Sequence, residues 1–186
     1  LKHVYNLIND KENIIGIQLR TGDKYLGKAH NILNNNNLLG CFNRNLKIIK
    51  LKLEELYSDN YNIFITSDNE LIYSEVCKVF SIDKIIYDNI NIIHLDKYNK
   101  RINTKEKQNE LLKLFSDHYI LSQKTKRLYS SIHSNFGRLA MLFSQHDELY
   151  SITSLNKISK TTIMNNTKRQ SKNECRWILN KNNAAI

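Results

Sequence analysis

The sequence has no proline, only five glycines and three cysteines among its 186 residues. A chain with so little glycine and proline is not collagen-like. Its composition, 41% hydrophobic and 25% charged, supplies enough apolar material for a core, which excludes a wholly disordered chain. No run of eighteen apolar residues occurs, so the sequence predicts no membrane-spanning helix. The length suits one domain, or one domain with a small appendage.

The three cysteines, Cys41, Cys77 and Cys175, lie far apart and form no Cys-x-x-Cys pair. This spacing argues against a structural zinc site or a disulfide framework, while one disulfide stays open. The histidines show no ligand spacing either, which argues against a metal site built from them.

The formal net charge of +10 favours an anionic partner, which could be a nucleic acid or a small anionic substrate such as a nucleoside diphosphate. The charge is uneven along the chain. From residue 156 onward there are seven basic residues and one acidic residue, so +6 of the +10 lies there and +4 remains for residues 1–155. We therefore expect an α/β domain over 1–155 and a basic, poorly packed tail over 156–186.

Short apolar runs rich in β-branched residues alternate with segments of helical periodicity. Such alternation predicts a Rossmann-like α/β fold, a parallel sheet with helices on both faces. The predicted strands are 14–19, 62–66, 84–87, 127–129 and 150–152, with a further extended segment at 90–95. The predicted helices are 46–56, 72–80, 105–123 and one that Ser134 caps, with Phe136, Leu139, Ala140 and Phe143 on its inner face.

Polar clusters follow three of these strands, at 18–23, at 67–68 and at 130–138. Ligands of parallel α/β sheets bind outside the carboxyl ends of the strands. Because these clusters would meet at that edge, the pattern predicts an anion or nucleotide site there without naming a reaction.

Two segments carry a resemblance to a known family. The first segment, Gln18-Leu19-Arg20-Thr21-Gly22-Asp23-Lys24, resembles the His-x-Arg-Arg-x-Asp strand end of the GDP-fucose-dependent fucosyltransferases. Lys24 matches the Lys of the Asp-Lys pair in the α1,6 type. Gln18 matches the Gln of the Gln-x-Arg in the plant cell-wall type. Asp117-His118-Tyr119-Ile120-Leu121-Ser122-Gln123 is similar to the Asp-x-x-x-Leu-Ser-Gln segment of the α1,6 type.

Two further segments fit the same order. Residues 130–140 resemble the family's Ser-Ser-x-x-x-Arg-x-Ala segment with about one extra residue, and Ser134-Asn135-Phe136-Gly137 resembles the plant-type Ser-Thr-Phe-Gly. Phe64-Ile65-Thr66-Ser67-Asp68 is similar to the family's strand that ends in Thr-Asp or Ser-Asp. The resemblance covers about residues 14–145 and implies the donor-binding lobe of a GT-B glycosyltransferase.

The resemblance also implies roles. Arg20 would bind the diphosphate and neutralise the leaving GDP. Asp117 would accept hydrogen bonds from the guanine edge, Gln18 would take the place of the base-contacting His, and Ser134 with Asn135 at a helix N-terminus would hold a phosphate. The other expected donor-binding residues are Asp23, Lys24, Asp68 and Arg138.

The chain departs from the family at two positions. Thr21 stands where the second Arg is expected, and Lys28 stands where the α1,6 type has a Glu. His30 is the obvious proton acceptor nearby and is our candidate general base. Only thirteen residues precede the first strand, so the chain is expected to be the donor lobe without the acceptor lobe.

The implied reaction is transfer of L-fucose from GDP-fucose to a glycan acceptor, with no metal or other cofactor. The N-glycan core in α1,6 linkage is one such acceptor. Two alternatives stay open: a catalytically silent GDP-sugar-binding relative, and a basic nucleic-acid-binding module. No nucleic-acid partner is expected for a fucosyltransferase or for a silent GDP-sugar-binding relative. The compartment is also open, since an upstream anchor would imply the Golgi lumen and its absence the cytoplasm.

Overall fold

The computed structural model describes residues 6, 8–19, 36–67, 70–86, 104–132 and 134–165. Within these residues, five strands form one sheet in the order β3-β2-β1-β4-β5, and all neighbouring strands are parallel. The predicted Rossmann-like α/β fold is therefore confirmed. The strands are β1, Ile14–Leu19; β2, Asn62–Ser67; β3, Ile85–Ile86; β4, Arg127–Ser130; and β5, Leu149–Ser151.

Helices lie between successive strands, as parallel pairing requires. A π-helical segment, Ile120–Lys124, continues the third of these helices, and a short 3-10 turn, Ile82–Lys84, precedes β3. The predicted extended segment at 90–95 lies outside the described residues. The α-helices are α1, Asn36–Tyr57; α2, Glu70–Cys77; α3, Thr104–Tyr119; and α4, Asn135–Phe143.

The sheet carries a separate apolar core on each face, because successive side chains along a strand point to opposite sides. Ile15 and Ile17 of β1 pack in a cluster with residues of α1 and α2. Ile14 of β1 and Leu128 of β4 pack in a second cluster with the π-helical segment and α4. Helices therefore cover both faces, and we call the side of the second cluster the α4 face.

Gly16 lets the π-helical segment lie directly on the sheet. A Cβ at this position would lie 2.9 Å from both Leu121 Cδ2 and Leu128 Cδ1. Since β1 is buried along its whole length, a larger side chain could not turn toward solvent there. This contact places Leu121, and with it the π-helical segment that continues α3, directly against the middle of β1.

The buried side of α3 differs from the prediction. Helical spacing predicts an inner side with Leu111, Leu114, Phe115, His118 and Leu121 or Ser122. Leu121 and Ser122 are buried and His118 packs on α4, but Phe115 is 67% exposed. Lys113, Ser116 and Asp117 are buried instead. The hydrophobic pattern is wrong in this part of the helix because Lys113 and Asp117 pair with each other, which reduces the cost of burying two charges.

The inner side of α4 is also only partly as predicted. Ala140 is fully buried, as expected, but Leu139 and Phe143 are 47% and 63% exposed. Gly137 and Arg138 are buried in their place. A helix that begins over polar strand ends buries polar groups in its first turns, and this turns its apolar side chains outward.

The chain continues to pack on the domain beyond residue 155, where the tail is predicted to begin. Ile158 N donates a hydrogen bond to Leu149 O at 2.8 Å, and Ile163 is buried in the cluster of the α4 face. Residues 156–165 therefore contact the sheet and its second core. The rest of the predicted tail, 166–186, lies outside the described residues.

Candidate functional site

The strand order places a topological switch point between β1 and β4. The helix that follows β1, α1, packs on one face of the sheet, and the helix that follows β4, α4, packs on the other. A crevice at this point is the usual ligand site of doubly wound sheets. The polar side chains at the ends of β1 and β4 are therefore the natural place to look for function.

Gln18 is the centre of a buried hydrogen-bonded cluster at this point. Its Oε1 accepts from Ser130 Oγ at 2.7 Å and from Ser131 N at 3.3 Å. Its Nε2 donates to Ser134 Oγ at 3.4 Å. Gln18 thus joins the end of β1 to the end of β4 and to the start of α4. Its predicted contact with a base stays a prediction.

Gly137 lets α4 approach this cluster closely. A Cβ on Gly137 would overlap Ser130 Oγ and Gln18 Oε1 and would lie 3.1 Å from Ser131 O. Close approach of a helix to strand ends is one of the functions that glycine has in nucleotide-binding turns. Here it brings the first turn of α4 directly over the switch point.

Ser134 is the N-cap of α4, as predicted. Its backbone is extended, and its Oγ accepts from Gly137 N at 3.3 Å. Ser134 O accepts from Arg138 N in the helical ladder. The N–H groups of Asn135 and Phe136 are in the first turn, where an α-helix provides no acceptor of its own. Such N–H groups bind anions.

Arg138 lies within this first part of α4. It is 4% exposed, and its Nη2 donates to Asn135 Oδ1. The guanidinium therefore holds the side chain of Asn135 and adds positive charge beside the helix N-terminus. Both residues were predicted to bind the donor, and both lie at the first turn of the helix that covers the switch point.

Asp117 lies at the same level as this cluster, on the helix beside α4. The ring of His118 lies 5.5 Å from the ring of Phe136 and 6.1 Å from that of Phe143 between centroids, so this turn of α3 packs against α4. Leu121 lies on Gly16. Asp117 precedes Leu121 by four helical residues, and Gln18 follows Gly16 by two strand residues. Each of these steps spans about 6–7 Å, so Asp117 is level with Gln18.

Asp117 is paired with Lys113 of the preceding helical turn. Lys113 Nζ lies 3.1 Å from Asp117 Oδ2 and 3.3 Å from Oδ1, and the two side chains are 7% and 5% exposed. The sequence gives no direct sign of Lys113, because a lysine in a helix is most often solvated, even one between two leucines such as Leu112 and Leu114. The i, i+4 spacing from Asp117 was the available signal.

Thr66 adds a hydroxyl at the carboxyl end of β2. It is the register partner of Gln18, so both side chains point to the α4 face. Thr66 is 5% exposed, and its Oγ1 has no hydrogen-bond partner within the described part of the chain. The sequence shows it only as one member of the strand-end motif, since burial of a single hydroxyl leaves no mark in a sequence.

His118 connects α3 and α4 through contacts of its ring. Its ring meets Phe136 and Phe143 edge to face, and its Nε2 is buried with no partner among the residues that the structure describes. Burial lowers the pKa of this imidazole from its usual value. We therefore expect a neutral histidine at neutral pH.

Part of the predicted site lies outside the described residues. The described members, Gln18, Ser134, Asn135 and Arg138, are brought together at the switch point, and Asp117 lies on the neighbouring helix at their level. For the remainder, the predictions are neither confirmed nor contradicted. These residues are Arg20, Asp23, Lys24, His30 and Asp68.

The described residues contain no group of three or more His, Cys, Asp or Glu side chains that could hold a metal ion. None of their helices is long and apolar enough to cross a membrane.

Comparison of the chain with family models, with curated proteins and with solved structures finds no match.

Proposed function

We propose that this chain is the donor-binding domain of a fucosyltransferase-like glycosyltransferase, which binds GDP-fucose and transfers L-fucose to a glycan. The observation that carries the proposal is the cluster of Gln18, Ser130 and Ser134, which holds the start of α4 over the carboxyl ends of β1 and β4. This is the position at which doubly wound folds bind nucleotides.

The chemistry of the cluster suits a nucleoside diphosphate. The first N–H groups of α4, beside the Arg138 guanidinium, supply the positive field that a phosphate needs. Asp117 offers a carboxylate, and a carboxylate matches the two adjacent N–H donors of guanine. Its pairing with Lys113 holds the carboxylate in a fixed position.

In the proposed reaction an acceptor hydroxyl attacks C1 of fucose. The bond from C1 to the acceptor oxygen forms as the bond from C1 to the GDP oxygen breaks, and a general base takes the hydroxyl proton. Fixed positive charge at the diphosphate stabilises the GDP that leaves. The resemblance gives the second role to Arg20, and His30 is our candidate for the first because it is the nearby proton acceptor where the family's Glu is absent.

The first test is the melting temperature of the protein in the presence of GDP, UDP and ADP. We expect GDP to raise the Tm more than the other two, because at equal concentration the ligand that binds more tightly stabilises the folded state more. Asp117→Asn should remove the preference for GDP, and Arg20→Ala should weaken all three. Asp147→Asn, a change of an exposed carboxylate, is the matched control. Equal shifts with the three nucleotides would contradict the proposal.

A second measurement separates an enzyme from a silent binder. Transfer of radiolabelled fucose from GDP-fucose to a glycan acceptor would demonstrate activity, whereas GDP-selective binding without transfer would indicate a non-catalytic relative. A nucleic-acid-binding module would instead show affinity for DNA or RNA that falls steeply with salt, and no preference among nucleotides.

A further inference from the structure

The inner side of α3 is polar at the level of the candidate site. Three polar residues are buried there, at 7%, 2% and 3% exposure respectively: Lys113, Ser116 and Asp117. They precede the buried apolar residues Ile120 and Leu121 along the helix. A buried ion pair stabilises a fold little, because the desolvation of two charges offsets most of their attraction. An apolar pair would serve the packing of α3 as well, so the charges call for another role.

The position of Lys113 relative to the sheet suggests that role. The π-helical continuation of α3 lies beside the last residue of α4, since Gln123 Nε2 donates to Phe143 O at 2.7 Å, and His118, one turn earlier, packs between Phe136 and Phe143 of α4. The preceding turns of α3 therefore extend toward the carboxyl ends of the strands. The backbone of Lys113 lies one turn beyond Asp117 in that direction, about 6 Å further along the helix, and its Nζ reaches back to 3.1 Å from Asp117 Oδ2.

A second, independent observation points to a ligand at the carboxyl end of the neighbouring strand, on the same face of the sheet. Thr66 Oγ1 is buried on the α4 face beside Gln18 and has no hydrogen-bond partner among the described residues. Leaving a buried hydroxyl without a partner is costly, and native folds avoid it unless a ligand or water completes the bond. The hydroxyl therefore marks a place that a ligand would complete.

We propose that Lys113 binds the diphosphate of the nucleotide ligand, with Asp117 as its fixed neighbour and with Thr66 donating a hydrogen bond to the same ligand. This inference rests on the proposed function for the identity of the nucleotide. A buried ammonium is little hydrated, so a phosphate that reaches it gains more than it would from a surface lysine. The arrangement places the carboxylate for the base and the cation for the phosphates on successive turns of one helix.

The test measures binding of inorganic pyrophosphate, GDP and guanosine by titration calorimetry. Lys113→Gln should weaken pyrophosphate and GDP binding by at least about tenfold, the value of one hydrogen bond to a charged group, and should weaken guanosine binding by less, since it removes only the support of the Asp117 carboxylate. Lys113→Arg, which keeps the charge, should stay within about threefold of the wild type. Thr66→Val should weaken GDP binding by about fivefold. Lys124→Gln, at an exposed position in the π-helical continuation of α3, should change nothing.

Asp117→Asn keeps the proposal testable if Lys113→Gln does not fold. With the counter-charge removed, the ammonium attracts an anion more strongly, so pyrophosphate should bind several-fold more tightly while guanosine binds more weakly. A purely structural ion pair predicts no gain for pyrophosphate. Unchanged or weaker pyrophosphate binding by the folded Asp117→Asn protein would overturn the inference.

The outcomes separate this inference from the proposed function. If the wild type prefers GDP and folded Lys113→Gln binds pyrophosphate as tightly as the wild type, Lys113 is structural and the proposed function stands. If binding of pyrophosphate depends on Lys113 but GDP, UDP and ADP bind equally, the anion site stands and the guanine-specific function is wrong. If the wild type binds neither pyrophosphate nor GDP, both are overturned.

Discussion

Gln18 illustrates how one residue decides the geometry of the site. It is a buried polar side chain in an otherwise apolar strand, and its hydrogen bonds to Ser130, Ser131 and Ser134 join three segments that are distant in the chain. A buried amide without partners would cost about 1–3 kcal/mol, so its bonds select one arrangement of these segments. The same bonds set the height of α4 above the sheet.

Gly137 gives the first prediction at this scale. We expect Gly137→Ala to destabilise the protein by about 1–3 kcal/mol, because the new Cβ would overlap Ser130 Oγ and Gln18 Oε1 and would force the cluster apart. The free energy of unfolding in urea would measure this loss. Binding of GDP should weaken as well, since the first turn of α4 would move away from the strand ends.

Gly40 supplies a matched control for this substitution. It lies inside α1 with nothing within 4 Å of an added Cβ. Gly40→Ala should therefore stabilise the protein by up to about 1 kcal/mol, because alanine favours a helix over glycine. If the two substitutions changed the stability in the same direction, the close approach at Gly137 would not be the cause.

At the scale of elements, the sequence predicts the central strands well. β1 and β2 are buried on both faces, and such strands leave continuous apolar runs that a helix of that length would not show. The cap of α4 is equally visible, because Ser134 starts the helix by a local hydrogen bond. These features depend on neighbouring residues and need no knowledge of the tertiary structure.

The orientation of α3 could not be predicted in the same way. Its outer side carries Leu112, Phe115 and Tyr119, while the ion pair of Lys113 and Asp117 faces inward. Hydrophobic periodicity assumes that the apolar stripe points to the core. A pair of charges that satisfy each other across one helical turn breaks this assumption, and only the tertiary contacts reveal it.

The second prediction concerns the attachment of α1 to the turn after β5. Asn45 is buried, and its Nδ2 donates to Ile152 O at 2.9 Å and to Thr153 O at 2.8 Å. Asn45→Asp replaces the donor with a carboxylate that faces two carbonyl oxygens. We expect a loss of about 3 kcal/mol in the free energy of unfolding at pH 7.

The pH dependence of this variant tests the cause of the loss. Once protonated, the introduced carboxyl regains one donor, so the loss should shrink as the pH is lowered below the pKa of that carboxyl. Asn156→Asp, in the loop that follows β5, is the control because Asn156 is exposed, and it should change the stability by less than about 0.5 kcal/mol. Similar losses in the two variants would show that the carbonyl contacts contribute little.

The whole molecule has polar networks at both ends of its sheet. The end opposite the candidate site holds Glu148, which accepts hydrogen bonds from Tyr150 OH at 2.6 Å and from Lys157 Nζ, and which lies 3.0 Å from Arg127 Nη2. The bond from Lys157, followed by that from Tyr150, lowers the pKa of Glu148 from its usual value of 4.5 to about 2. This network fastens β4, β5 and the chain beyond residue 155 to one another.

A carboxyl whose pKa is lower in the folded state stabilises the fold above its unfolded pKa. This stabilisation is present above about pH 4.5 and is lost as the pH falls toward 2, because the unfolded chain takes up the proton first. The Glu148 side chain is one-third exposed, so solvent screens part of the effect. We expect a contribution of about 1 kcal/mol at neutral pH.

The last prediction follows for Glu148→Gln. The variant should be less stable than the wild type by about 1 kcal/mol at pH 7, and the difference should vanish near pH 2, where the wild-type carboxyl is protonated as well. Urea unfolding at about pH 7, 5 and 3 would measure the difference at each pH.

Asp147→Asn, at the neighbouring position with an 88% exposed side chain, is the control. A difference between Glu148→Gln and the wild type that stayed constant with pH would mean that packing, and not the charge of Glu148, joins β4 to β5. GDP binding should be the same in the wild type and in Glu148→Gln at neutral pH, because the network and the candidate site lie at opposite ends of the sheet.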